Sequence, residues 1–477
     1  MFNLKSAEKI RRLMGGVSVA ALLVFGGAAG AQAASLGEVV QHAITTNPDI
    51  LQAAANRRAV DNELNQANGL FLPQIDFRAA VGPEYSNNST TRARGGARTS
   101  AEGADSGIWL RRAESSLTLQ QKIFDGFASK SEEERQAARV DSASARVLER
   151  SEFIALDVVQ AYLDVLRNTD IAEQAVENVE SHRRIQSEVK TRVDAGKSGI
   201  GDAQQAEARL ASARAALIET TRDLEESIIA FRRFVGQEPG DLTRPEVDQS
   251  MIPENADAAL EQALGSNPSV QIGYSDIDVA RAELSAANAD LWPTLDLELI
   301  ANRNHNTDGT KGPNQDVTGM VVMRYNLFRG GIDIAKKHEF HDRLSEARQR
   351  VLHLRRVAEE EVRKSWNQMV KSRDRAATLG DEVLANSQVV STYRQEFEVG
   401  QRDLLDLLDS ENELFNARVR QLTADYSAQF NSYRLLASMG QLLKSLNVSV
   451  IEEAAGGSRD IEGRTPKWRS EPRIVSQ

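Results

Sequence analysis

Two hydrophobic periods divide this chain, one of about 3.6 residues and one of 2, and each predicts a different element. The longest helical stretch runs from Phe127 to Gly236. It holds no proline and is built largely from Ala, Glu, Arg, Leu and Gln. Within it Ala203, Leu210, Leu217, Leu224 and Phe231 recur every seven residues, the spacing of a coiled-coil seam. The one clear interruption spans residues 194–202, where three glycines end a helix and Asp202 caps the next. The pattern predicts two long helices joined by a tight turn. A helix over Ala128–Ala195 would be roughly 100 Å long at ~1.5 Å per residue, too deep for a globular core, so such helices pack side by side as a coiled coil or tube.

Before this stretch the chain reads as two short helices and two strands. Ser35-Leu36-Gly37-Glu38 is a capping box, and Leu36, Val39, Val40, Ala43 and Ile44 give the first helix its apolar face. Asn47-Pro48 breaks that helix and starts another, which runs to about Leu70. The period then drops to 2: Ile75, Phe77, Ala79 and Val81 alternate with Gln74, Asp76 and Arg78. A long polar loop carrying Arg92, Arg94 and Arg98 follows. Alternation returns at Leu117, Leu119 and Ile123, and Phe124-Asp125-Gly126 turns the chain into the long helices. Tyr85 and Trp109 flank the loop and suit either an interfacial girdle or plain packing.

This unit recurs. Asn47-Pro48 returns as Asn267-Pro268, an offset of 220 residues, which also aligns Glu63-Leu64 with Glu283-Leu284 and Pro73 with Pro293. Leu295, Leu297 and Leu299 alternate as in the first strand. Leu327-Phe328-Arg329-Gly330 repeats Ile123-Phe124-Asp125-Gly126 at an offset of 204, so the first inter-strand loop is longer by 16 residues. The offset of 204 then holds without gaps, aligning Gly196 with Gly400, Asp202 with Asp406, Leu210 with Leu414 and Gly236 with Gly440. The expected organisation is a first repeat over 34–236, with strands at about 73–85 and 108–124 and a helical hairpin at about 127–236. A proline-marked linker over 237–254 follows. The second repeat covers 255–447, with strands at about 293–302 and 316–328 and a hairpin at about 330–446. Residues 448–477, rich in Gly, Ser, Arg and Glu, read as a disordered tail.

Composition narrows the setting. Lys5, Lys9, Arg11 and Arg12, an apolar run over Val17–Ala29 and Ala31-Gln32-Ala33 form a secretory signal peptide, assigned to 1–33. Its removal leaves a mature charge of about −14, from −11 for the full sequence, which argues against nucleic acid as a partner. There is no cysteine, which excludes disulfides, thiolate metal sites and a lipidated cysteine anchor. No later stretch offers enough consecutive apolar residues for a membrane helix, so a mature chain that enters a membrane does so as a β-barrel. Known single-chain barrels have about eight strands or more, whereas this chain supplies four. An open edge cannot sit in lipid, so several copies must share one barrel.

The chain resembles the TolC family of outer-membrane efflux and type I secretion channels. The resemblance rests on the Asn-Pro of each half, the Leu-Pro or Trp-Pro entry and Phe-x-Gly exit of the strands, and above all the segment 399–409 (Val-Gly-Gln-Arg-Asp-Leu-Leu-Asp-Leu-Leu-Asp). It implies an α+β membrane fold: a homotrimer whose twelve strands form one outer-membrane barrel in lipid, continued through the periplasm by a helical tunnel. A belt of short elements surrounds the tunnel. The implied partners are a periplasmic adaptor (membrane fusion) protein and an inner-membrane transporter of ABC, RND or MFS type; no cofactor and no enzymatic activity are implied.

The resemblance also assigns a periplasmic aperture. Positions matching Asp406 and Asp409 form acidic rings, which attract cations, and Arg402 joins a gating network with Asp202. Phe397 stands where the family often has a tyrosine and cannot donate the hydrogen bond. Gly201 stands where a threonine often precedes the aspartate. The turns around Gly196, Ile200, Gly400 and Leu404 resemble surfaces that meet the adaptor. Lone charges at a helix start are more often caps, and turn glycines more often serve geometry. The Gly196-Lys197-Ser198 run lacks the first glycine of a phosphate-binding loop, and His338-Glu339-Phe340-His341 is not a zinc-binding helix motif. The alternative from another class is an exported coiled-coil adhesin or scaffold without a pore, which leaves the four strands unexplained.

Overall fold

The computed structural model describes residues 35–89, 91 and 107–455. The expected signal peptide, the loop arginines Arg92, Arg94 and Arg98 and the end of the expected tail lie outside the described residues.

The elements follow the duplication closely. The first half comprises α1 (Leu36–Thr46), α2 (Pro48–Gly69), β1 (Gln74–Ser86), β2 (Ile108–Phe124), α3 (Ala128–Asp194) and α4 (Ile200–Val235). The second comprises α5 (Ala256–Ser266), α6 (Pro268–Ala289), β3 (Thr294–His305), β4 (Pro313–Arg324), α7 (Ile332–Glu398) and α8 (Leu404–Ser438). Two single turns close the described chain, α9 (Leu442–Ser445) and α10 (Glu452–Ala455). Matching helices have 11 and 11, 22 and 22, 67 and 67, and 36 and 35 residues.

The Asn-Pro motif does the same work twice. Asn47 is the N-cap of α2, accepting a hydrogen bond from the Asp49 amide (2.9 Å), with Pro48 at the position where a missing N–H costs nothing. Its side-chain amide donates to the Phe234 carbonyl at the end of α4 (3.1 Å). Asn267 caps α6 and donates to the Ser438 carbonyl at the end of α8 (3.0 Å). Each asparagine thus ties the start of one helix to the end of that half's hairpin.

The sheet is antiparallel in the order β1-β2-β3-β4, leaving β1 and β4 as its edges. Its registers put Ile75, Leu119 and Leu299 in one row and Phe77, Leu117, Ala301 and Val317 in the next, all on one face. Phe77 is 71% and Val317 83% exposed in the isolated chain. The opposite face is polar and cross-linked: Arg324 pairs with Asp296 (2.6 Å) and Glu298 (2.7 Å), Arg112 with Glu84 (3.0 Å) and Asp308 (3.2 Å), and the Asn302 amide donates to Asp316 (2.9 Å). At the far end Tyr85 and Trp109 meet across the ladder with tilted rings, their centroids 5.3 Å apart. No helix among the described residues is long and apolar enough to cross a membrane.

The strand expected over 316–328 runs Pro313–Arg324 and that expected over 293–302 runs to His305. The ladder continues through Asn302, Arg303 and Asn304, and a tight turn with left-handed residues Asn306, Asp308 and Gly309 closes it. β4 is an edge, and Tyr325 to Phe328 have no ladder to join.

The main core lies around the middle of α3, where α1, α5, the ends of α4 and α8, the linker and α9 converge. Tyr162 and Phe231 are fully buried there, and the Tyr162 hydroxyl donates to the linker carbonyl of Thr243 (2.6 Å). Glu152 is buried against the first turn of α9 and accepts from the Leu442 (3.2 Å) and Leu443 (3.5 Å) amides. Burial pushes its carboxyl up to about 7, against the pull of those amides.

Residues 448–455 correct part of the tail expectation. Val448, Val450 and Ile451 pack against the core, Ser449 exchanges two hydrogen bonds with Gln41, and Glu453 pairs with Arg58. Both polar partners, Gln41 and Arg58, are on α1 and α2, so polar composition hid a segment fixed from a distance.

Candidate functional site at the hairpin turns

Each hairpin reverses through the same backbone device. Gly196 and Gly400 take left-handed conformations (φ 68° and 79°). Their amides donate to Val193 (2.9 Å) and Phe397 (3.1 Å), while the next amides, Lys197 and Gln401, reach back to Arg192 and Glu396 (both 2.8 Å). This paired closure satisfies carbonyls at the helix end and favours glycine at the left-handed position. A small core seals the two turns together: Ile185 and Val189 of α3, Ala206 of α4, Phe397 of α7 and Leu404, Leu407 and Leu408 of α8.

Arginines then fix the polar side. Arg402 donates to Glu396 (2.9 Å) and to Asp406 (3.2 Å) and lies over the Tyr393 ring at 4.1 Å. Those carboxylates, Glu396 first, push the guanidinium pKa up. Arg192 crosses from the first hairpin to the second. It stacks on Phe397 at 4.3 Å, donates to the Phe397 (3.2 Å) and Glu398 (3.4 Å) carbonyls, and pairs with Glu188 (2.9 Å). Arg209 of α4 pairs with Asp409 of α8 (2.6 Å). Further up the hairpins Arg394 pairs with the buried Glu411 and donates to Ser181 (3.1 Å).

The structure therefore brings some of the expected residues together and separates others. Arg402 and Asp406 are bonded. Asp409 belongs to a different pair. The Asp202 carboxylate accepts from the Gly199 amide (3.1 Å), capping its own helix, and has no bond to Arg402 within the chain. Phe397 is buried beneath Arg192 and contributes its ring and carbonyl to the contact between hairpins. Ile200 is 72% exposed, and open space surrounds Gly196 and Gly400. Leu404 corrects the expected outward surface: it is 7% exposed because the first residue of α8 faces the sealed core, whereas Val399 and Leu405 point outward.

Sequence reasoning missed Arg192, Arg209, Tyr393 and Glu396. One signal was present: Arg192 and Glu396 occupy matching positions 204 apart with opposite charge. Opposite charges at equivalent places are what two facing copies of a repeat need.

A sheet with one apolar and one polar face, carried on hairpins about 100 Å deep, is the architecture of an outer-membrane channel protein that extends into the periplasm. The sequence profile of the family described as "Outer membrane efflux protein" matches residues 39–237 and 259–441, and the chain belongs to that family. It is similar to the outer membrane efflux protein BepC of Brucella suis, 24% identical over 327 residues covering 68% of this chain and 72% of that protein. It is 23% identical to the outer membrane protein TolC of Escherichia coli over 455 residues, covering 91% of this chain and 89% of that one. Among solved structures, CusC shares the fold with a TM-score of 0.72 at 15% identity, over 85% of this chain and 91% of CusC.

Proposed function

We propose that three copies of this chain close one twelve-stranded barrel in outer-membrane lipid and form a passive export duct, gated at the hairpin turns. The observation that carries this reading is the pair of open sheet edges, β1 and β4, beside an apolar face. Four strands cannot close a cylinder, and an unpaired edge cannot face hydrocarbon. The duplication supports the same arrangement. Gly126 abuts the Ala289 carbonyl and Trp292, where any Cβ would come within 2.6 Å of the carbonyl oxygen, whereas its counterpart Gly330 faces open space. In a ring, α2 of the next copy supplies the missing neighbour.

In this reading the polar face of the sheet lines the pore, and α1, α5, the linker over 237–254 and the C-terminal turns form a belt. Asp406 and Asp409 present carboxylates at the narrow end, and Arg402, held by Glu396 and Asp406, restrains the α8 start. A periplasmic adaptor meets the exposed turns at Gly196, Ile200 and Gly400 and opens the aperture. An inner-membrane transporter of ABC, RND or MFS type supplies energy. The cargo is a drug-like solute, a secreted protein, a polysaccharide or several of these.

Planar-bilayer recording tests the gate. The wild type should give a small, cation-selective conductance. Arg402→Ser should raise the conductance. Asp406→Asn with Asp409→Asn should weaken cation preference, and unchanged selectivity in that double variant would remove the aperture from these residues.

A further inference from the structure

The duplication also predicts which side chains meet across copies. Within one chain α8 runs antiparallel to α3, and two polar rungs join them. Arg418 pairs with Glu177 (3.1 Å), and the Tyr426 hydroxyl donates to Asp170 (2.8 Å). An offset of 204 carries α3 onto α7 and α4 onto α8, so the counterpart of the α3–α8 contact is a contact between α7 and α4. Those two helices do not meet in this way within a chain, since each hairpin has its own outer flank. The transferred rungs are Arg214 with Asp381 and Arg222 with Asp374.

Both transferred rungs join a cation to an anion, although nothing in one chain requires it. Arg214 and Asp381 are exposed, and among the described residues neither has an ion-pair partner. Arg222 and Asp374 already have partners on their own helices, Asp223 (2.6 Å) and Lys371 (3.4 Å). Elsewhere in the chain the same transfer holds. Glu63 pairs with Arg139 between α2 and α3, and their counterparts Glu283 and Arg343, on α6 and α7, again carry opposite charges, although Arg343 pairs with Glu339 of its own helix (2.7 Å). The bond from Asn47 to Phe234 recurs as that from Asn267 to Ser438.

We propose that the seam between neighbouring copies in the helical tunnel is set by an ion pair from Arg214 of one copy to Asp381 of the next, with Arg222 and Asp374 as a second rung. The occupant of the open α7 face is a second copy of this chain, in the antiparallel register that α8 takes on α3. Exposed ion pairs contribute little to affinity, but opposite charges fix register and reject shifted pairings. The inference rests on the channel reading above.

The absence of cysteine makes cross-linking clean. Arg214→Cys with Asp381→Cys, treated with a short bismaleimide in detergent-purified protein, should give covalent products of two and three chains. Glu177→Cys with Arg418→Cys should link within a chain and leave its denatured mass unchanged. The shifted pair Arg214→Cys with Asp374→Cys, displaced by about 10 Å along the helix, should cross-link about tenfold less. In a charge test, Arg214→Glu should lower the temperature at which the assembly dissociates, and adding Asp381→Arg should restore it. Light scattering on the same samples separates the two ideas. An assembly of three that cross-links no better at the proposed pair than at the shifted one overturns the register alone. A single-copy mass overturns the channel reading with it.

Discussion

Helices α3 and α7 are the same element made twice: each has 67 residues and each opens one hairpin of one half. Yet α3 buries 27 of its residues within the chain and α7 only 8. The difference lies in their flanks. α3 packs on α2, α4, α6 and α8, whereas the main helical neighbours of α7 among the described residues are α5, α6 and α8. Leu148 of α3 packs against the main core, while its counterpart Leu352 is 49% exposed. Equivalent sequence with unequal burial is what the proposed assembly requires: in that reading the exposed face of α7 is the one a neighbouring copy covers.

The comparison can be broken first where α3 is most deeply packed. Tyr162→Ala empties a fully buried aromatic site and orphans the Thr243 carbonyl, and should cost about 3–5 kcal/mol in thermal or denaturant unfolding. Leu352→Ala on α7 should leave subunit folding nearly unchanged and weaken the assembly. Equal losses from the two would dissolve the distinction between the helices.

Glu152 offers a second test on α3. Because burial lifts its folded-state value from 4.5 to about 7, the folded chain binds this proton before the unfolded chain does. Stability from this group is therefore gained as pH falls from about 7 towards 4.5, and is missing above. The shift corresponds to at most about 3 kcal/mol. Glu152→Gln should raise the unfolding temperature at about pH 8 and flatten its dependence between about pH 5 and 7. An unchanged slope would mean that the carboxyl is solvated.

The Asn-Pro clamps should behave alike in both halves. Asn47→Ala and Asn267→Ala each remove a helix cap and a tie to the hairpin end, and each should cost about 1–2 kcal/mol in unfolding free energy. A strong disparity would show that the two clamps are not equivalent in the folded chain. The smallest effect belongs to the surface: Arg139→Ala, breaking its pair with Glu63, should change stability by less than about 1 kcal/mol.

Much of this architecture was legible in the sequence because repetition multiplies weak signals. One Asn-Pro is ambiguous, but two that share offsets with glycines, prolines and a coiled-coil seam define paired helices and strands. Glycine spacing located both turns because only a left-handed residue closes the helix end there. The polar contacts at those turns were less legible. Arg192 and Arg209 act across hairpins, and no local pattern tells which of many surface arginines will meet a carbonyl or carboxylate some 200 residues away. The packed segment at 448–455 was hidden for a related reason: its partners, Gln41 and Arg58, lie at the opposite end of the chain.

The matched helix lengths impose a tolerance like that of staves in a cask. One extra turn in a single long helix would displace its tip by about 5 Å from its companions. Such insertions should be purged from the body of the molecule. The rim beyond β1 and β2 carries no such restriction: the chain there leaves the sheet at Ser86 and rejoins it at Ile108, while the equivalent excursion from His305 to Pro313 is brief. An insertion between Ser86 and Ile108 leaves the length of each long helix unchanged.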